Sequence, residues 1–211
     1  MTISARSRRA GSHRKGDRNE QAILQTAERL LESSPLADVT VQALARGSGI
    51  SRSSFYFYFG SKEDVLLTLL DRMAGEIDAA IGMLDQTIAE DPVASITAAI
   101  ESNVRVWREH GPVLHALIEA AGSHDAVREA WHATMRRFIS AITATIRAER
   151  ARGAAPDTGP SSEQLAGTLV WANERLFQVS SLREPSALTD DEIVPVLVEV
   201  WYRAIYARPT R

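Results

Sequence analysis

The chain has 211 residues, of which 45% are hydrophobic and 24% are charged. These values fit one globular domain or two small ones, and they exclude a largely disordered, collagen-like or low-complexity chain. The absence of cysteine excludes a disulfide scaffold, a thiolate zinc site and a cysteine nucleophile. No apolar run reaches the roughly 18 residues of a membrane helix, and no apolar signal-peptide stretch follows the basic N-terminus. We therefore expect a soluble, cytoplasmic protein with no membrane partner.

The charges are unevenly distributed along the chain. The net charge is −3, but residues 1–72 carry 11 basic and 8 acidic groups, or +3, which leaves −6 for residues 73–211. Within the first 18 residues, six basic side chains face only Asp17, a balance of +5. This pattern indicates that the N-terminal part of the chain binds a polyanion. The 22 arginines against 2 lysines are typical of a GC-rich genome, such as an actinobacterial one.

Apolar residues recur with helical period through most of the chain, and no alternating strand pattern or hairpin turn occurs. The sequence therefore predicts an all-α fold of about nine helices. Residues 1–17 lack the period and are predicted to form a basic, disordered arm. Helix breaks are predicted at the turn 47–49, at His110-Gly111-Pro112 and over 153–162.

Two short predicted helices, capped by Thr40 and Ser51, are joined by Gly47-Ser48-Gly49-Ile50. Their length and turn are those of a helix-turn-helix, in which a glycine supplies a backbone angle that other residues resist. Hydroxyls, phenols and one guanidinium on the second helix can bond phosphates and base edges. Lys62 begins the next helix, where its charge and free backbone N–H groups can meet one phosphate. A small Ser- and Gly-rich helical turn without a role in DNA binding would show the same spacing.

The run from Leu44 to Leu66 strongly resembles the signature of the tetracycline-repressor (TetR) family in its turn, its Tyr-x-x-Phe-like helix end and its Lys-Glu-x-x-Leu-like helix start. It departs at Ser48, where alanine is usual, a change we expect to be tolerated. The resemblance implies a three-helix head over 18–78 that binds a double-stranded DNA operator. The implied base-reading residues are Ser51, Arg52, Ser53 and Ser54, and the implied phosphate ligands are Thr40, Tyr56, Tyr58 and Lys62.

Residues 79–211 contain all four tryptophans, and two amides, Asn103 and Asn173, interrupt their apolar faces. An apolar cavity with a few polar groups suits a small molecule, but an ordinary core with satisfied amides would give the same pattern. The family resemblance implies that this domain binds a small hydrophobic effector and dimerises. The implied ligand-binding residues are Asn103, Trp107, Met135, Phe138, Ile142, Val170, Asn173, Phe177 and Trp201.

The last predicted helix has an apolar face wider than one stripe, formed by Ile193, Val194, Val196, Leu197, Val200 and Trp201. A fully buried helix would explain this width, and so would a two-fold interface. We expect a homodimer that forms through the last two helices, as the resemblance implies.

An enzyme is not expected, because the sequence has no phosphate loop, nucleophile elbow or His-Glu-x-x-His pair. Glu129 and His132 have the spacing found in di-iron bundles, but that site requires a second such motif and further carboxylates. We expect no cofactor and no metal. The sequence thus predicts a repressor that releases a palindromic operator when a hydrophobic molecule binds. The alternative is a ligand carrier or interaction module with a vestigial helix-turn-helix.

Overall fold

A computed structural model describes residues 4–207, with the side chains of residues 16–79, 81–189 and 191–207. Within this part the chain forms eight α-helices and no strand, which confirms the all-α prediction. The helices are α1 Ser4–Leu31, α2 Val41–Gly47, α3 Arg52–Tyr58, α4 Lys62–Thr87, α5 Pro92–Ala121, α6 Asp125–Ala151, α7 Ser162–Ser181 and α8 Asp190–Tyr206, and a 3-10 turn covers Leu36–Asp38. Of the helices described, none is long and apolar enough to cross a bilayer.

The predicted break at His110-Gly111-Pro112 does not occur, which is why the described helices number eight and not nine. Helix α5 continues through Pro112, although proline removes one helical hydrogen bond. Buried residues on both sides of the proline, including Trp107, Val113 and Leu117, hold the helical path. Pro195 likewise lies inside α8, which begins at Asp190 and not after the proline.

Helix α1 begins at Ser4, so the backbone of residues 4–17 is helical where we predicted a disordered arm. Residues 1–3 lie outside the described part of the chain. Arginine occurs four times between residues 4 and 17 and is a good helix former, but the same segment contains three serines and two glycines, which are not. The helix has no apolar stripe in this segment, and such a stripe is the signal on which the prediction relied.

The chain divides into two compact units. One unit contains the chain up to Leu70 together with Pro112–Arg128, and the other contains Asp71–Gly111 and the chain from Glu129 onwards. The first unit buries Ile23, Leu24, Leu44, Phe55, Val65 and Leu66 from α1 to α4. The second buries Leu84, Ile96, Ile146, Ile193 and Leu197. The functional division after residue 78 remains a prediction.

Candidate DNA-binding face and ligand cavity

Helices α2 and α3 form the helix-turn-helix that the sequence predicted. The Thr40 hydroxyl oxygen accepts a hydrogen bond from the Ala43 N–H at 3.1 Å, and the Ser51 hydroxyl oxygen accepts one from the Ser54 N–H at 3.0 Å. Each bond satisfies a backbone donor of a first helical turn, so both predicted N-caps are confirmed. Between the helices, Gly49 has a φ of +70°, which glycine adopts without steric cost.

The turn packs closely against α1. A Cβ on Gly47 would lie 2.5 Å from Thr26 Cγ2, a distance that no relaxed structure allows. The Ser48 hydroxyl donates to the Leu44 carbonyl oxygen at 2.6 Å and lies 3.3 Å from Thr26 Oγ1. The Ser48 hydroxyl, at a position where the family usually has alanine, therefore has hydrogen-bond partners on α1 and α2.

Helix α3 turns most of its polar side chains to solvent. Ser51 Oγ lies 2.8 Å from Ser53 Oγ and 2.9 Å from Ser54 Oγ. The Arg52 guanidinium lies 5.8 Å from the centre of the Tyr56 ring and donates to the Tyr56 hydroxyl at 3.3 Å. The surface formed by residues 51–54 and 56–58, here named the α3 face, thus combines hydroxyls, one charge and aromatic rings. Such groups bond phosphate oxygens and base edges.

Two of the predicted phosphate ligands, Lys62 and Tyr58, already have partners on distant segments of the first unit. Lys62 Nζ donates to the carbonyl oxygens of Leu36 at 2.7 Å and Val39 at 2.9 Å, and the Tyr58 hydroxyl accepts from Asn19 Nδ2 at 3.0 Å. An ammonium has three donors and a phenol keeps its own proton, so each group retains one donor for a phosphate. Sequence reasoning missed these contacts because they join residues 23 to 39 positions apart.

Phe57 is a candidate residue that the sequence analysis did not single out. Its side chain is 83% exposed, and its ring meets the Tyr58 ring edge-on at 5.3 Å. The signal was available, because Phe55 and Phe59 share one buried helical side at a spacing of four and leave Phe57 on the opposite side. An exposed aromatic side chain on this helix can contact the methyl group of thymine.

The second unit contains a cavity of about 580 Å³ of unoccupied space, including its mouth. No charged side chain is found among its described lining residues, so the cavity suits a neutral, largely apolar molecule. The lining residues are Ile77, Ile81, Leu84, Ile96, Ala99, Ile100, Asn103, Phe138, Ile142, Val170, Asn173 and Trp201.

The side-chain amides of Asn103 and Asn173 are the main polar groups in this otherwise apolar wall. Trp201 Nε1 donates to Asn173 Oδ1 at 3.0 Å, and both side chains are buried. Because an indole N–H can only donate, this bond fixes which end of the Asn173 amide faces Trp201 and leaves its NH₂ group for another partner. Asn103 Oδ1 is buried and has no hydrogen-bond partner.

Six of the nine predicted ligand residues line this cavity, and Trp107, Met135 and Phe177 do not. These three are buried elsewhere in the same unit, and the Trp107 and Phe177 rings lie 6.4 Å apart. Their assignment to a ligand site remains a prediction.

The sequence analysis predicted Asn103 but missed the other lining residues that α4 and α5 supply. Ile77, Ile81 and Leu84 are apolar residues at helical spacing on α4, but their role in the cavity was not foreseen. An apolar stripe looks the same whether its side chains fill space or surround it. The six residues missed are Ile77, Ile81, Leu84, Ile96, Ala99 and Ile100.

Helix α8 has two apolar sides. Ile193, Leu197 and Trp201 point inward and are at most 6% exposed, whereas Val196 and Val200 are 41% and 48% exposed. Further large apolar side chains are exposed on α7 and α8 and just after α7, namely Trp171, Leu182 and Tyr202. A helix packed on one core needs only one apolar stripe, so the outward side of α8 is not explained by the fold of one chain.

A buried carboxylate joins the ends of α6 and α8. Glu149 accepts hydrogen bonds from Arg152 Nε at 2.7 Å and from the Tyr206 hydroxyl at 2.8 Å. Burial by itself raises the pKa of Glu149, but the bonds from Arg152 and Tyr206 and the charge of Arg152 outweigh it and lower that pKa. Burial, followed by the bond to Glu149, raises the pKa of Tyr206. The cluster anchors the C-terminal end of the helix that carries Trp201.

Two family models match the chain. Residues 23–69 match "Bacterial regulatory proteins, tetR family", and residues 96–207 match "Transcriptional regulator EthR, C-terminal domain". The HTH-type transcriptional regulator EthR of Mycobacterium tuberculosis is 41% identical over 98% of both chains. The regulator of the same name in Mycolicibacterium smegmatis is 38% identical over 98% of this chain and 96% of its own.

The fold is also that of solved regulators. A TetR-family regulator structure from Syntrophomonas wolfei superposes with a TM-score of 0.73 at 17% identity, over 92% of this chain and 98% of that one. The chain belongs to the TetR family and is a helix-turn-helix transcriptional regulator whose C-terminal domain is of the EthR type. A ligand-responsive repressor role fits this family, and the two EthR relatives are transcriptional regulators, which is a class without enzymatic activity.

Proposed function

We propose that this regulator is a homodimeric repressor that releases a palindromic operator when a small hydrophobic molecule occupies the cavity of the second unit. The observation that carries the proposal is the presence, in one chain, of an exposed helix-turn-helix face and an uncharged cavity with two amides. It would act in the cytoplasm, and it requires neither a cofactor nor catalysis.

On DNA, α3 would enter the major groove. Ser51, Arg52, Ser53 and Ser54 would contact base edges, and the exposed ring of Phe57 would contact thymine methyl groups. Phosphates would be held by Thr40, Tyr56, Tyr58 and Lys62. The arginines near the N-terminus would add affinity that does not depend on sequence and falls with salt.

The dimer would form through α7 and α8. The outward apolar residues Trp171, Val196, Val200 and Tyr202 support this assignment, because a second copy would remove them from water. A two-fold interface presents the same surface from both subunits, so the two α3 helices would read half-sites related by symmetry. The centres of these half-sites would lie about one turn of DNA apart, or a multiple of that distance.

Helix α4 would connect DNA binding to ligand binding, because one continuous helix carries residues for both. It begins at Lys62, and its later residues Ile77, Ile81 and Leu84 line the cavity. A ligand would favour a state in which the two α3 helices do not match the operator spacing. It can do so only to the extent that it binds that state more tightly.

The test is to select genomic fragments with the purified protein at ~0.15 M salt, and then to titrate the best fragment. We expect one or a few palindromic sites. Binding without sequence preference, also after the protein has been refolded from denaturant to remove any co-purified ligand, would contradict the proposal and favour a ligand carrier.

A further inference from the structure

Three side chains that can ligate a metal ion meet on α4 and α5. Glu76 is on α4, and Glu109 and His110 are on α5, all within the second unit. One ligand atom from each residue lies within 4.8 Å of those of the other two. None of the three residues lines the cavity, so this cluster is separate from the proposed effector site.

The separation between these atoms suits a shared ion better than a direct hydrogen bond. His110 Nε2 lies 3.8 Å from Glu76 Oε1, which is longer than an N–H···O hydrogen bond. Two ligands of one zinc ion, each about 2.0–2.2 Å from the metal, lie about 3–4 Å from each other. Glu76 and Glu109 are exposed, so their side chains can close the remaining gap by rotation.

The charges of the cluster also favour a cation. The carboxylates of Glu76 and Glu109 come from different helices and lie within 4.8 Å of each other, so they repel. A protonated His110 would offset only one of these two negative charges. A divalent ion bound to both carboxylates and to the neutral imidazole would offset both.

We propose that Glu76, Glu109 and His110 bind one divalent transition-metal ion, such as Zn²⁺, with water in the remaining coordination positions. An imidazole together with carboxylates suits zinc and its first-row neighbours, whereas Mg²⁺ and Ca²⁺ prefer oxygen ligands alone. The ion ties α4 to α5 within the second unit. The sequence analysis expected no metal because these ligands lie on two helices and form no local motif.

The experiment titrates Zn²⁺ into the full-length protein by calorimetry. The protein is prepared without a histidine tag and is treated with a chelator before the titration. Glu76→Gln and His110→Gln each replace one ligand by a neutral amide. His132→Gln is the matched control, because His132 is an exposed histidine on α6 of the same unit and does not belong to the cluster.

We expect the unsubstituted protein and His132→Gln to bind one Zn²⁺ per chain with equal affinity. Glu76→Gln and His110→Gln should each weaken binding at least about 10-fold, because even residues that only support metal ligands contribute that much. An excess of Mg²⁺ of about tenfold should not displace the zinc, since one ligand is an imidazole. The absence of a one-to-one complex, equal affinities of all four proteins or displacement by Mg²⁺ would overturn the proposal. Should His110→Gln not fold, Glu76→Gln at an exposed position still decides the outcome.

Discussion

At the scale of single residues, Lys62 has a structural role and, in the proposed function, a role in DNA binding. Its ammonium holds two backbone carbonyls of the segment before α2, at Leu36 and Val39. The same group lies at the start of α4, where we expect it to meet a phosphate. A residue with both roles couples the shape of the DNA-binding unit to its affinity.

Substitution of Lys62 by alanine should weaken binding to all DNA sequences by a similar factor, because a phosphate contact carries no base information. It should also lower the stability of the first unit by about 1–2 kcal/mol through the loss of two hydrogen bonds. Arg52→Ala should weaken the selected operator more than random DNA, since Arg52 is assigned to base edges. Competition titrations with both DNAs separate these roles, and an equal loss of preference in the two variants would contradict the assignments.

Glu149 makes the second unit sensitive to acid. Its pKa is lowered in the folded protein from the ordinary value of 4.5, so the ionised form stabilises the fold at neutral pH. That contribution is present above the ordinary pKa and is lost as the pH falls through the lowered one. The stability of this unit should therefore decline below about pH 4.5.

The substitution Tyr206→Phe tests this cluster. Removing the hydroxyl that bonds Glu149 should lower the free energy of unfolding at pH 7 by about 1–2 kcal/mol. It should also narrow the difference in stability between neutral and acid pH. Thermal unfolding at a series of pH values checks both effects, with Tyr202→Phe on the same helix as the control. An unchanged pH profile would show that Tyr206 does not support the ionised carboxylate.

At the scale of secondary structure elements, the helix-turn-helix depends on a contact that only glycine permits. A Cβ at Gly47 would collide with Thr26 Cγ2, and Thr26 is buried and branched, so it cannot move aside easily. Gly75 in α4 is a matched contrast, because no atom lies within 4 Å of a Cβ built there.

Gly47→Ala should destabilise the protein by about 1–3 kcal/mol through overpacking and weaken DNA binding by displacing α2 from α1. Gly75→Ala should stabilise α4 by about 0.5–1 kcal/mol, since alanine is the better helix former. Thermal unfolding followed by circular dichroism compares the two variants. Similar unfolding temperatures for both would contradict the close packing of the turn.

The helix caps, the continuity of α5 and the cavity wall differ in how far they could be predicted from the sequence. The caps at Thr40, Ser51 and Ser161 were predictable because a side chain three residues from a free N–H creates them locally. The continuity of α5 through Pro112 was not, because burial on both sides overrides a local breaker. The α4 and α5 wall of the cavity was also not predictable, since whether apolar side chains fill or surround a space depends on tertiary packing.

At the scale of the whole molecule, the central claim is that occupancy of the cavity and binding of the operator are coupled. Coupling between two sites is reciprocal for binding free energies. If a ligand weakens operator binding by some factor, saturating operator must weaken ligand binding by the same factor. This equality holds whichever elements carry the coupling.

The most direct measurement is a pair of titrations on the full-length protein at one salt concentration. In one, the selected operator is titrated with and without a saturating concentration of decanamide, a neutral and largely apolar probe that suits the uncharged cavity lining. In the other, decanamide is titrated with and without saturating operator. We expect both dissociation constants to rise by the same factor, within the range of about 5- to 150-fold that is typical of coupled sites. If both partners bind and neither changes the affinity for the other, the cavity does not control DNA binding.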